Sequence, residues 1–186
     1  MKGSRSGRPV ADRVYVALLR AVNVGGTGKL AMSDLNAICL DAGFSNVNTY
    51  IASGNVVFQA RMSAKEAKTA LEERLGRHVG KPVGVAIRTA DELAAILDSN
   101  PFKKDPPSTT IAIFLDAPPP GDALQHARGR HREEMRLGAR EIFVRYVDGI
   151  GRSKLTIPAA RNSTGRNMNT VAKLAAMAAR TKAQRG

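Results

Sequence analysis

Tryptophan is absent, aromatic residues make up 4% of the chain, and Cys39 is its only cysteine. Three Tyr and five Phe, none interleaved with basic residues, do not make the stacking surface on which single-stranded nucleic acids are held. Nucleic acid is therefore weakly supported as a partner, limited to a salt-sensitive backbone contact. A lone cysteine cannot close an intrachain disulfide, which favours a reducing, cytoplasmic compartment. Long hydrophobic runs are also lacking: the segment from Val14 to the charged Arg20 falls far short of the ~20 apolar residues that span a bilayer, so membrane insertion is not expected. The first twelve residues, MKGSRSGRPVAD, are basic and rich in Gly and Ser and lead into no signal-peptide core. They read as a lead-in to the folded part.

What the chain does have is positive charge. Lys and Arg number 29 against 16 Asp and Glu, a net +13 over 186 residues. Residues 117–186 hold 14 of these cations against 5 acids, and after Asp148 there is no acid at all. Such a field attracts phosphate-bearing partners at low salt, although an Ala- and Arg-rich composition also produces it without any ligand. With 43% hydrophobic residues, the length suffices for one substantial core or two small ones without a metal or disulfide staple.

Element signals run in an ordered series. RVYVALL at 13–19 reads as a buried strand, and a long Gly-bearing connection follows before Ser33 starts a helix that stops at Gly43. Residues 46–52 and 56–60 alternate as strands about the turn Ser53-Gly54-Asn55. Ser63 with Glu66, and Thr89 with Glu92, match the reciprocal capping box that opens a helix, and Val83–Ile87 between them reads as a strand. The order β-α-β-β-α-β to Ile87 is that of the ferredoxin-like split βαβ unit. This predicts an α+β fold: a ferredoxin-like half over 13–99, a connector at 100–108, a smaller α+β half over 109–181 and a basic tail at 182–186. The second half reads β-α-β-α-α, with a strand at 109–115, a helix after Asp122, a strand at 141–147, a short helix over 153–160 and a last helix capped by Asn167 or Asn169.

Familiar catalytic signatures fail on inspection. The loop from Asn23 to Leu30 lacks the first Gly and the final Ser/Thr of a phosphate-binding P-loop, and no third glycine completes a dinucleotide fingerprint. His78, His126 and His131 have no partners at ligand spacing, so no metal site and no cofactor are expected. The pairs Glu72-Glu73 and Glu133-Glu134 lie among cations at helical spacing and read as solvated ion pairs. Ser153 and Lys154 are neighbours whose side chains diverge in any regular element. Two polar clusters are left. One holds Arg20, Asn23, Gly25, Gly26, Lys29, Ser53 and Asn55; the other holds Ser153, Lys154, Arg161, Thr164, Arg166, Asn167 and Asn169. These are donors suited to an oxyanion, with glycines that let backbone amides approach it and a helix N-terminus near Arg166. The same residues equally suit turns, caps and surface solvation.

LLRAVNVGG at 18–26, TYIASGNVVF at 49–58, NPF at 100–102, SKLT at 153–156 and TGRNMNTVAKL at 164–174 together resemble the domain-of-unknown-function sixteen-ninety-seven family of bacterial proteins. The resemblance implies a two-part α+β architecture with ferredoxin-like character, a bacterial cytoplasmic setting and no assigned activity. The family carries an aromatic between the two asparagines of its last motif, where this chain has Met168. The resulting expectation is a binding module. Arg20 and Arg166 would contact a phosphate-bearing small molecule or a nucleic-acid backbone between the halves, with Asn23, Gly25, Gly26, Ser53, Asn55, Ser153, Lys154, Asn167 and Asn169 around it. Two alternatives stand beside it: an enzyme on an anionic substrate, with Ser53 or Ser153 as nucleophile and Lys154 or Arg166 stabilising charge, and an interaction protein that dimerises through its sheet edges.

Overall fold

A computed structural model describes residues 11–23 and 30–184. The chain is α+β, built on two antiparallel four-stranded sheets. The first comprises β1 (Arg13–Leu19), β2 (Ser45–Tyr50), β3 (Asn55–Ala60) and β4 (Val85–Thr89), in the order β2-β3-β1-β4. With α1 (Met32–Asp41) and α2 (Ala64–Val79) as the crossovers, this is the ferredoxin-like arrangement. β1 is apolar without alternation because both of its faces are covered. Tyr15, Ala17 and Leu19 pack with Leu35 and Cys39 of α1 and with Leu71 and Leu75 of α2, while Val14, Val16 and Leu18 face the opposite layer.

That opposite layer joins the two halves of the chain. α3 (Ala90–Ser99) contributes Leu93 and Ile96, and α4 (Met168–Ala183) contributes Met168, Val171, Leu174 and Ala178. The second sheet, β6-β7-β5-β8, is formed by β5 (Thr110–Phe114), β6 (Glu134–Leu137), β7 (Glu141–Arg145) and β8 (Thr164–Asn167). Ala112, Phe114 and Phe143 of this sheet enter the same cluster, so α3 and α4 are packed between the sheets in one continuous core. Phe102, in the segment read as a connector, is buried in it too. Ile142 and Val144 point the other way, into a small outer cluster with Met135, Tyr146 and Ile157.

Both predicted capping boxes are present, at Ser63–Glu66 and Thr89–Glu92, and Gly54 has the predicted positive φ of 76°. Four local expectations are corrected. α1 begins at Met32 after Ala31, with no side-chain cap, so Ser33 lies inside its first turn. No helix follows Asp122; Ala123, Gln125 and Ala127 donate to Pro120, Asp122 and Leu124 in successive three-residue turns. That segment has only Ala123 fully buried, too little apolar surface to hold a helix against the fold. Residues 153–160 are extended and end in a 3₁₀ turn at Pro158–Ala160. The second half is thus β-β-β-β-α, because β6 and β8, four residues each and without an apolar run, are strands by virtue of their partners.

Each half sends one buried arginine into the other. Arg88 on β4 is 1% exposed and donates through Nε to Glu141 Oε1 of β7 (3.1 Å) and through Nη2 to the carbonyls of Leu115 (2.7 Å) and Arg140 (2.9 Å). Its guanidinium lies 5.4 Å from the centre of the Phe114 ring. Burial, and then the nearby Arg140 charge, lower its pKa, while Glu141 opposes the shift. Arg166 on β8 returns the contact. Its Nε donates to Asn55 Oδ1 (2.6 Å), Nη1 to Thr164 Oγ1 and the Gly165 carbonyl, and Nη2 to the carbonyls of Leu19 and Ser53 (2.9 Å each). Replacing Arg88 by Met is expected to destabilise the protein by about 3–5 kcal/mol, because Glu141 is left buried and unpaired. The double change Arg88→Met/Glu141→Leu should recover much of that loss, and urea titration of the three proteins checks it. The buried Cys39 thiol, pushed up to about 12 by desolvation, should react with a thiol reagent only as the protein unfolds, which gives a second readout.

Candidate functional site

The structure divides the predicted site residues among three places, and Gly25, Gly26 and Lys29 lie outside the described residues. At the junction between the sheets it gathers Arg20, Asn23, Ser53, Asn55 and Arg166. Asn23 Nδ2 donates to the carbonyls of Leu30 (2.9 Å) and Ala52 (2.8 Å), and its Oδ1 accepts from the Leu30 amide (2.7 Å). It therefore ties Leu30 and the end of β1 to the β2–β3 turn. Asn55 Nδ2 donates to the Tyr50 carbonyl and Ser53 Oγ while its Oδ1 receives Arg166. Between them Gly54 is pressed against β1: a Cβ there would lie 2.4 Å from Val22 Cγ2 and 2.9 Å from Leu19 Cβ. Arg20, exposed at the end of β1, reaches across to the Arg161 carbonyl (2.7 Å). Every polar group of Arg166 and Asn55 at this junction is directed at protein. Burial holds the Arg166 pKa down at about 10.

At the second place, the start of α4, Asn167 caps the helix by accepting from the Thr170 amide (2.9 Å). Asn169 is exposed in the first turn, and Met168 between the two asparagines is a core side chain 3% exposed.

Ser153 and Lys154 are elsewhere, in a cleft of about 370 Å³ on the flank of the second sheet whose walls include no junction residue. Its frame is an antiparallel bridge in which the amide of Arg128 donates to the carbonyl of Thr156 and the amide of Thr156 to that of Arg128, both at 2.9 Å. Gly129, at φ 68°, lets this bridge close, since a Cβ there would stand 2.2 Å from the Lys154 carbonyl oxygen. The floor is Glu133, and here the solvated ion pair expected from the sequence is corrected. Glu133 is 6% exposed and accepts from Ser153 Oγ–H and from the His131 amide (2.7 Å). The Ser153 bond first, and the His131 bond second, lower its pKa to about 2. Glu134, the next residue and the first of β6, pairs with Arg145 (2.5 Å).

The charge left in this cleft is positive. Asp148 is paired with Arg132 (2.9 Å), and Glu133 is an ionised carboxylate held by neutral donors, so the lining's three cations, Arg132, Arg152 and Lys154, outnumber its two acids. Among the described residues, Arg152 and Lys154 make no ion pair or side-chain hydrogen bond, and both are exposed. Sequence reasoning missed Glu133 and Tyr146, which lines the same cleft; only the return of 152–156 onto 128–133 brings them to Ser153. Among the described residues no group of His, Cys, Asp and Glu is placed to hold a metal, and no helix is long and apolar enough to cross a membrane.

Because the folded-state pKa of Glu133 lies below the ordinary 4.5, its contribution to stability is complete above that value and is lost as pH falls from about 4.5 towards about 2. Ser153→Ala removes the principal bond. The variant should therefore show a Glu133 carboxyl titrating closer to 4.5, read by NMR of the side-chain carboxyl carbon, with little further change in the neighbouring strands.

A family model described as "Protein of unknown function (DUF1697)" matches residues 13–143. The match ends before the SKLT and TGRNMNTVAKL motifs. No curated protein matches the chain. Among solved structures, the conserved bacterial protein SP0830 from Streptococcus pneumoniae is similar, with a TM-score of 0.75 and 24% identity over 90% of this chain and 99% of that one. At that identity the likeness speaks to the fold, which it shares. With its first strand, its ferredoxin-like unit and two strands of the second sheet inside the matched span, the chain belongs to the DUF1697 family.

Proposed function

We propose that this protein binds a small anionic ligand, phosphate-bearing in the simplest case, and that Arg152 and Lys154 receive its charge. The observation that carries the reading is the imbalance in the cleft: its two carboxylates are engaged by protein donors while two of its cations have no partner among the described residues. A cation held at a concave wall, with backbone amides of a Gly-rich segment nearby, is the usual setting for an oxyanion. Arg166, expected at the outset to contact the anion, has its N–H groups turned to protein acceptors, so the ligand is assigned to the cleft and not to the junction.

An enzyme using Ser153 as nucleophile is the weaker reading. Glu133 is in hydrogen-bonding contact with Ser153 Oγ, but a carboxylate with a pKa of about 2 is a poor acceptor for a hydroxyl proton, since effective general bases titrate near the working pH. Ser153 Oγ also accepts from the Leu155 amide (3.1 Å), which marks it as a turn residue. A cytoplasmic setting accords with a single cysteine buried beyond reach of oxidants.

Pyrophosphate is expected to raise the melting temperature of the wild type, by the equivalent of ~2.7 kcal/mol at a hundredfold excess over its dissociation constant. Arg152→Gln/Lys154→Gln, at two exposed positions, should melt like the wild type without ligand and lose the shift. A shift produced only by DNA or RNA and fading steeply with salt would replace the discrete site by a non-specific polyanion surface.

A further inference from the structure

A second concavity adjoins the cleft, and its chemistry is different. It measures about 480 Å³, within the range of small-molecule sites, and its floor is the outer face of β5 together with the returning segment: Ile111, Ile113, Leu155 and Ile157. Tyr146 belongs to both hollows. The tyrosine is 9% exposed, packed in the outer apolar cluster, and feels the charge of Glu133, so it is the partition between an apolar compartment and a charged one.

Three features say what fits there. The groove has Arg128 and Arg161 among its walls and no carboxylate. Neither guanidinium makes an ion pair or side-chain hydrogen bond among the described residues. At its lip Ile150 is 59% exposed and Val147, beside Tyr146, is 37% exposed, two large apolar side chains left in water within four residues of each other. The walls are aliphatic, and the single aromatic presents almost no free face, so a stacked base or ring has nothing to lie on.

We infer that the ligand is an amphiphilic anion, a phosphate or carboxylate head on an aliphatic chain taken up free from solution. The head meets Arg152 and Lys154, and the chain passes Tyr146 and Ile150 into the groove, where Arg128 and Arg161 keep the entrance cationic. The chain supplies the affinity because it leaves water for an apolar floor, and the arginines supply the choice of charge. A free molecule is specified because the floor residues Ile111, Ile113, Leu155 and Ile157 are buried or half-buried and Ile150 is the one large aliphatic side chain of the groove standing in water, whereas insertion into a bilayer needs a protruding apolar face. This inference rests on the reading of the cleft as an anion site.

Isothermal titration calorimetry with octyl phosphate, inorganic phosphate and octyltrimethylammonium tests it. Octyl phosphate should bind at least roughly tenfold more tightly than inorganic phosphate, given the apolar area its chain would bury, and the ammonium compound should not bind. Ile150→Asn, a neutral change at an exposed lip position, should abolish that gain and leave inorganic phosphate binding as it was. Equal affinities for the two phosphates, an unaffected Ile150→Asn protein, or binding confined to phospholipid vesicles would each overturn the inference while leaving the cleft's own role intact. Loss of inorganic phosphate binding in Arg152→Gln/Lys154→Gln judges the cleft separately: if phosphate binds neither the wild type nor that variant, the anion reading fails, and this inference fails with it.

Discussion

The exchange of buried arginines between the two halves is the constraint on which the rest of the structure depends. An arginine cannot shed its proton at working pH, so once it is buried its N–H groups must meet acceptors or the fold loses several kcal/mol, a cost of order 1–3 kcal/mol for each neutral group left unmet. Arg88 and Arg166 solve this from opposite sides. One projects from the first sheet to a carboxylate and two carbonyls of the second half, the other from the second sheet to an amide and carbonyls at the end of the first. Neither half alone provides those acceptors. The continuous core of α3 and α4 between the sheets supplies the attraction, and the two arginines fix the registration, since sliding one sheet past the other would break both sets of bonds.

The polar motifs acquire meaning in that light. Asn23, Gly54 and Asn55 are not apolar core residues, yet their work is structural. Asn55 presents an oxygen to Arg166 and uses its nitrogen to close the turn that also offers the Ser53 carbonyl. Gly54 lets that turn approach β1 closely enough for the carbonyl of Leu19 to join the same guanidinium. Asn23 holds the base of the neighbouring loop to it. A polar, glycine-bearing motif that resembles a ligand loop in the sequence is here the socket for an internal cation.

A different economy governs the cleft. Its acids each meet protein donors, the buried Glu133 in Ser153 and the His131 amide and the exposed Asp148 in Arg132, so the cations left without a partner among the described residues are Arg152 and Lys154. The excess of +13 is thus not spread evenly in its effect. Cations such as Arg74 and Arg140 meet Asp41 and Glu92, whereas the segment after Asp148 holds no acid of its own, and of its cations Lys182 is answered only from α3, by Asp91. The apolar groove beside the cleft follows from the same return of the chain, which covers only part of the outer face of β5.

The ferredoxin-like half was legible in the sequence because its signals are local: an unbroken apolar run for a strand covered on both faces, a glycine at positive φ in a hairpin, and two capping boxes whose partners are three residues apart. Such features need only neighbours along the chain. The second half was legible at β5, β7 and α4 for the same reason, and not at β6 or β8, whose four residues each hold no apolar run and become strands only when β7 and β5 present their edges. The candidate site divided in the same way. Sequence alone determined that the segment after Asp148 is cationic with no acid in it, and that no P-loop or dinucleotide fingerprint is present. Only the tertiary structure decided which donors are free, because whether a guanidinium is spent depends on carbonyls and carboxylates brought to it from more than a hundred residues away, as Leu19, Ser53 and Asn55 are to Arg166.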